Sequence, residues 1–213
     1  MRKIFVVIAG IGLLAAAHPS AAQTSPDFHK FSIGAGGGYM STSKYGSGLV
    51  FGGSLVAGIT KNFGIELRGS YFQGDVAGEA SGLSKGKFTT IPIQLSLQFR
   101  YPVGDKLVPY LGGGAGYYLN DFALDASVVS KWSNVGFTIS ETMDPGIGFH
   151  FGGGLDFLVV PKIIVNIDVR YALAKAKGTW KLADENGVAE ASGTLDNLEI
   201  HPLAAALSIR YGF

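Results

Sequence analysis

The chain has 213 residues, a length that suits one domain, with 17 Lys and Arg against 16 Asp and Glu and a formal net charge of +1. No basic excess points to nucleic acid, and no acidic tail points to a cationic partner. Cysteine is absent, so disulfides and thiolate metal sites are excluded, while 32 glycines alongside abundant aromatic and β-branched residues fit neither an ordinary soluble domain nor a disordered chain.

The first segment reads as a targeting sequence. Arg2 and Lys3 form a positive start, Ile4 to Ala17 is an apolar run, and Ser20-Ala21-Ala22 supplies the small residues of a cleavage site before Gln23. That run is shorter than the ~20 apolar residues a membrane-spanning helix needs. Residues 1–22 are therefore expected to be a signal peptide, with the exported chain covering 23–213. Losing Arg2 and Lys3 with it leaves 15 cations against 16 anions, a net charge of −1.

Beyond Gln23 the chain alternates with period 2, which places successive side chains on opposite faces of a strand. In the clearest case Ile163, Val165, Ile167, Val169 and Tyr171 share one face, and Ile164, Asn166, Asp168 and Arg170 share the other. The same parity recurs in eight candidate strands, roughly 28–39, 49–60, 63–74, 87–101, 107–119, 147–159, 162–176 and 198–213. Most exceed the ~9–11 residues a tilted strand needs to cross a bilayer. No helical period competes over a comparable length.

The connections alternate too. Those at 60–63, 102–106 and 160–162 are tight, and those at 40–48, 75–86, 120–146 and 177–197 are long. Short turns at one rim and long loops at the other are the pattern of an up-and-down barrel, with Pro102, Gly104 and Pro161 in the tight turns. The odd-numbered wall is bulky and aromatic, whereas the even wall is rich in Gly, Ala and Ser. Turning the bulky wall toward lipid satisfies every backbone group by closure and leaves no open edge. The fold class expected is an all-β, eight-stranded antiparallel transmembrane barrel, with Tyr39, Tyr71, Tyr101, Tyr117, Tyr171, Tyr211 and Phe213 in interfacial girdles.

Glu66, Arg68, Arg100, Asp156, Asp168, Arg170 and Arg210 all have the inward parity, four cations against three anions, and are expected to form a network in the lumen. Eight strands leave an interior about filled by side chains, so full pairing would close the barrel to water, and a solute path would have to leave sideways through the wall near the long loops. Phe122, Trp132, Phe137 and Trp180 are candidates for a greasy loop mouth. The terminal Tyr211-Gly212-Phe213 resembles the assembly signal that ends many bacterial outer-membrane barrels.

Several stretches resemble the OmpW family of small outer-membrane barrels, or a close OmpA-like or opacity-type barrel. They are Ile91-Pro92 opening a strand that ends near Tyr101, Val108 to Tyr117, Gly152 to Phe157 followed by Asn166 to Tyr171, and Leu198 to Pro202 leading to Arg210 to Phe213. The resemblance implies a narrow channel passing small, often apolar, molecules across a Gram-negative outer membrane, without a catalytic residue. The implied partners are outer-membrane lipid and lipopolysaccharide, the barrel assembly machinery and a small hydrophobic ligand. No cofactor and no periplasmic domain after Phe213 are expected.

The other chemistry is thin. Of the exported histidines, His29 and His201 read as rim residues. His150 has the inward parity, but no serine follows it two positions on, as it would in a deacylase-type barrel. Asp121, Asp125 and Glu141 offer an unspecific cation set. Gly112–Gly114 and Gly152–Gly154 lie within strands and serve close packing better than phosphate binding. A surface-interaction or membrane-stabilising barrel with a closed lumen is the alternative function.

Overall fold

A computed structural model describes residues 30–78, 83–184 and 186–213. The signal-peptide segment and His29 lie outside them.

The described residues form ten strands in chain order, β1 (Phe31–Ser41), β2 (Ser47–Gly58), β3 (Phe63–Val76), β4 (Gly86–Arg100), β5 (Leu107–Leu124), β6 (Phe137–Met143), β7 (Gly146–Val160), β8 (Ile163–Asp184), β9 (Ala189–Glu199) and β10 (Leu203–Gly212), and one helix, α1 (Ala126–Ser133), between β5 and β6. Eight of the strands close a ring through antiparallel pairs β1–β2, β2–β3, β3–β4, β4–β5, β5–β7, β7–β8, β8–β10 and β10–β1. The protein is an all-β, eight-stranded up-and-down barrel. No helix among the described residues is long and apolar enough to cross a membrane.

Period-2 alternation sets the wall. In β4 the even residues are buried and most odd ones are exposed, and the same parity governs the other barrel strands. Phe149, 70% exposed, and Leu95, 57% exposed, belong to a continuous apolar outer surface. Exposure of large apolar side chains on that scale matches a barrel whose solvent is lipid. Tyr211 and Phe213 meet edge-on at 5.2 Å on this outer face, close to the tight-turn rim.

The long connections differ from the sequence reading. The first is a tight loop of residues 42–46, closed by Thr42 N donating to the Gly46 carbonyl, with Gly46 at φ +82°. The segments 120–146 and 177–197 are largely ordered structure. β8 runs on past the barrel to Asp184, with β6 on one side (Met143↔Gly178) and β9 on the other (Thr179↔Thr194), making a raised three-stranded sheet. β6 continues into β7 across Asp144-Pro145, and β9 into β10 across Ile200–Pro202; both joints carry a proline, which has no N–H to donate to a ladder. The helix escapes the periodicity because eight residues span only two turns. It is set by Asp125, whose carboxylate accepts from Ser127 N at 2.9 Å as an N-cap.

The interior is divided. Toward the tight turns it is polar and charged. Toward the loops it is apolar, with Met40, Phe72, Phe88, Tyr118 and Phe122 packed among small alanines of β8.

Candidate functional site: the divided lumen

β3, β4, β5, β7 and β8 aim long polar side chains inward in the half nearer the tight turns. Near the rim, Asp156 of β7 accepts from Arg100 Nη2 at 2.6 Å and from Arg210 Nη2, and also from Asn166 Nδ2 at 2.7 Å. Asn166 Nδ2 also donates to the Tyr110 hydroxyl at 3.0 Å, which in turn donates to Asp168 Oδ2 at 2.7 Å. Above them Glu66 accepts from Arg68 Nη2 at 2.8 Å, from Arg170 Nη2 at 2.7 Å and from Gln98 Nε2 at 3.2 Å. Arg68 Nη1 donates to Asp168 Oδ1 at 2.9 Å, completing a four-membered ring of two guanidiniums and two carboxylates.

The structure thus brings together all seven ionisable residues singled out in the sequence: Glu66, Arg68, Arg100, Asp156, Asp168, Arg170 and Arg210. Burial of so many charges costs desolvation, and close pairing offsets it. Gln94, Ser96, Gln98, Tyr110 and Asn166 complete the plug. A search for charged side chains misses them, although their even parity marks them. Arg170 Nη1 donates to Gln94 Oε1 at 3.1 Å, and Gln94 Nε2 to the Tyr118 hydroxyl at 3.0 Å. His150, which faces no serine in its own strand, meets Ser96 Oγ of β4 at 2.7 Å through Nε2. This pair lies inside the packed plug, with Arg170 beside it.

β1, β2 and β10 contribute almost none of this. Through the middle of the barrel their inward positions are Gly34, Gly36, Gly38, Gly52, Ser54, Ala204, Ala206 and Ser208, with larger side chains only toward the ends, Arg210 and Val56 near the tight turns and Met40 and Val50 toward the loops. A cavity of about 60 Å³ runs along this bare side. It reaches from Arg68 and Asp168 up to Met40 and Tyr118, and it touches Ser70 and Pro92. At those two residues the ladder lapses while the register holds. The β3–β4 ladder runs to Gly69↔Ile93 and resumes at Phe72↔Thr90, so Ser70 and Tyr71 lack ladder pairs opposite Pro92 and Ile91.

The mouth is not the one expected. Phe122 lies inside the barrel within β5, Trp132 on α1, Phe137 at the start of β6, and Trp180 on β8, over Gly193. No ring contact joins the four among the described residues. Among the described residues the loop end of the lumen is capped instead by Tyr45, carried inward by the tight first loop with its ring tilted on Phe88 at 5.0 Å, and by Leu83. Burial, with the nearby Glu199 carboxylate, pushes the Tyr45 phenol up to about 12. Ser84 donates to Glu141 through its backbone N at 3.0 Å and its hydroxyl at 2.5 Å, tying the start of β4 to β6. Asp125 is occupied as a helix cap and by Lys85, and Asp121, Asp125 and Glu141 do not assemble; no metal-binding group of three is present among the described residues.

Solved structures similar to this fold are bacterial outer-membrane barrels. The outer membrane protein OprG from Pseudomonas aeruginosa superposes with a TM-score of 0.70 at 16% identity, over 90% of this chain and 99% of its own. Neisserial surface protein A gives 0.56 at 14% identity, over 86% and 97%. A major outer membrane protein from Thermus thermophilus gives 0.56 at 14%, over 86% and 98%. No curated protein matches the chain significantly. A model of the outer membrane protein beta-barrel domain matches residues 7–199, in agreement with the OmpW-like resemblance of the sequence. With this match over most of its length and an eight-stranded barrel clad in apolar side chains, the chain belongs to the outer membrane protein beta-barrel family.

Proposed function

We propose that this outer-membrane barrel is a narrow conduit for small apolar molecules, which enter from outside through the apolar half of the lumen and leave sideways between β3 and β4. The observation that carries the reading is the division of the lumen. A packed apolar cluster at the loop end rests on a packed, charged floor, and the β3–β4 ladder beside them loses its pairs at Pro92. An apolar solute gains nothing by crossing a floor of ion pairs, whose groups would have to give up their partners to admit it. A lateral exit leads it into lipid instead. Filled by side chains, the floor also opposes an aqueous pore.

The test is uptake of a small apolar and a small polar solute by cells with intact outer membranes, carrying the protein, lacking it, or carrying Pro92→Val. Valine restores an N–H toward β3 and is at home in a strand. Faster apolar uptake with the native protein, reduced several-fold by Pro92→Val, is expected. Equal acceleration of polar uptake, or no effect on either solute, would overturn the reading.

A second reading rests on the raised sheet of β6, β8 and β9. Its outer face carries Lys177, Lys181, Thr138 and Ser140, all exposed. Such a face suits the phosphates and sugars of lipopolysaccharide or a partner surface. Loss of binding to such a surface on Lys177→Glu and Lys181→Glu, with apolar uptake unchanged, would favour it.

A further inference from the structure

We infer that the cavity beside the plug receives the carboxylate head of an amphiphile whose tail lies in the apolar half of the lumen. The inference rests on the conduit reading above and narrows its solute class from apolar molecules in general to small organic acids with an apolar chain.

Three observations carry it. First, the cavity has two chemically different ends. Toward the tight turns it is lined by Arg68, Arg170 and the hydroxyls of Ser54 and Ser208; toward the loops by Met40 and Val50. A ligand that fits both ends is polar at one end and apolar at the other.

Second, the charges bordering the cavity do not balance. Two guanidiniums, Arg68 and Arg170, line it against one carboxylate, Asp168. Glu66, the other carboxylate of the ring, is fully buried and lies outside the lining. Glu66 still pairs with both guanidiniums, so the surplus cation belongs to the plug as a whole, four guanidiniums against three carboxylates, and it biases the space beside the plug toward an anion.

Third, buried donors beside the cavity remain unused. Arg170, 7% exposed, lines the cavity, and its Nε has no partner among the described residues. Arg68 is 16% exposed at its side chain, more than any other member of the ring, because it borders the same space. Arg210, 1% exposed, leaves Nε and Nη1 unpartnered among the described residues and lies opposite Gly34, which lines the cavity. Asp168 repels an anion, but Arg68, Arg170 and Tyr110 already hold its two oxygens. A carboxylate offers two oxygens, one for each of the two guanidiniums that line the cavity, which a halide cannot do.

Direct binding tests this on the full barrel in lipid nanodiscs at neutral pH, with octanoate, octanol and acetate as probes and empty discs as the partition control. Octanoate is expected to saturate the protein, with octanol and acetate each at least fivefold weaker. Arg170→Gln should weaken octanoate at least fivefold and leave octanol unchanged. Because that variant disturbs the plug, Ala206→Leu provides a second line. It fills the cavity from β10, beside Asp168 on the β8–β10 ladder, while leaving every member of the ring in place, and should also abolish octanoate binding. Octanol binding as tightly as octanoate, unaffected by Arg170→Gln, would overturn the carboxylate head while leaving apolar transport standing. Acetate matching octanoate would reduce the site to one for small anions and overturn the amphiphile. Binding of neither octanoate nor octanol would remove the conduit reading as well.

Discussion

Arg170 Nη2 lies 2.7 Å from Glu66 Oε2, and the two residues come from β8 and β3, strands separated in the wall by β10, β1 and β2. The bond crosses the lumen and ties opposite sides of the barrel. It matters because neither partner can return to water while the ring stays closed.

Removing one member therefore strands the others. Glu66→Ala leaves Arg68 and Arg170 buried with Asp168 as their remaining shared carboxylate and is expected to lower stability by about 3–5 kcal/mol. Combining it with Arg170→Ala should cost clearly less than the sum of the two single changes, since each removes the other's partner. Urea unfolding in lipid vesicles, followed by gel mobility, reads both quantities. Additive losses would mean that the pair does not act as a unit.

Tyr45 closes the mouth from a five-residue loop, with its ring on Phe88. Tyr45→Ala is expected to cost about 3 kcal/mol through the void it leaves, and to speed apolar uptake if this ring limits entry. The phenol's pKa is raised by burial to about 12 from an ordinary 10.0. The neutral form is the one the fold holds, so this contribution is complete below pH 10 and fades as pH rises from 10 toward 12, where the unfolded chain ionises first. Stability against urea should fall over that window in the native protein relative to Tyr45→Phe, which has no phenol to ionise.

Two glycines of the wall separate close packing from mere smallness. A Cβ at Gly114 would collide with the Leu95 carbonyl oxygen across the β4–β5 ladder, whereas one at Gly69 would meet nothing. Gly114→Ala should reduce the folded fraction markedly, because the obstacle is backbone, while Gly69→Ala should fold like the native chain. Folding yield into detergent micelles compares them directly.

Phe213 is 66% exposed on the outer face beside Tyr211 and packs into nothing central. If it serves recognition by the assembly machinery, Phe213→Ala lowers the amount of barrel in the outer membrane several-fold and leaves refolding of purified protein unchanged. A matching defect in refolding would make Phe213 a structural residue instead.

Much of this protein is legible in its residues because a strand in a closed wall obeys a local rule. Period 2 alone sorts Ile163 to Tyr171 into lipid-facing and lumen-facing sets, and the same parity gathers Glu66, Arg68, Arg100, Asp156, Asp168, Arg170 and Arg210 inside. Which of them meet is not local. Glu66 and Arg170 stand 104 positions apart, and only closure of the ring and the register of its strands bring Arg170 to Glu66 and leave Arg210 with Arg100 on one carboxylate. The long segments read as loops because Thr, Ser, Lys and Gly there break the apolar alternation. They fold as strands because β8, once held on both sides at the barrel rim, lets its ladders run on. The sequence misplaces the mouth for a related reason: aromatic residues in long segments attract notice, yet the short loop at 42–46 has the geometry to turn Tyr45 inward. Sequence alone determined the wall, its inside and its outside, since these depend on each residue and its immediate neighbours. The tertiary structure decided the divided lumen, the bare side along β1, β2 and β10, and the lapse at Pro92, since each depends on what faces a residue across the barrel or the ladder.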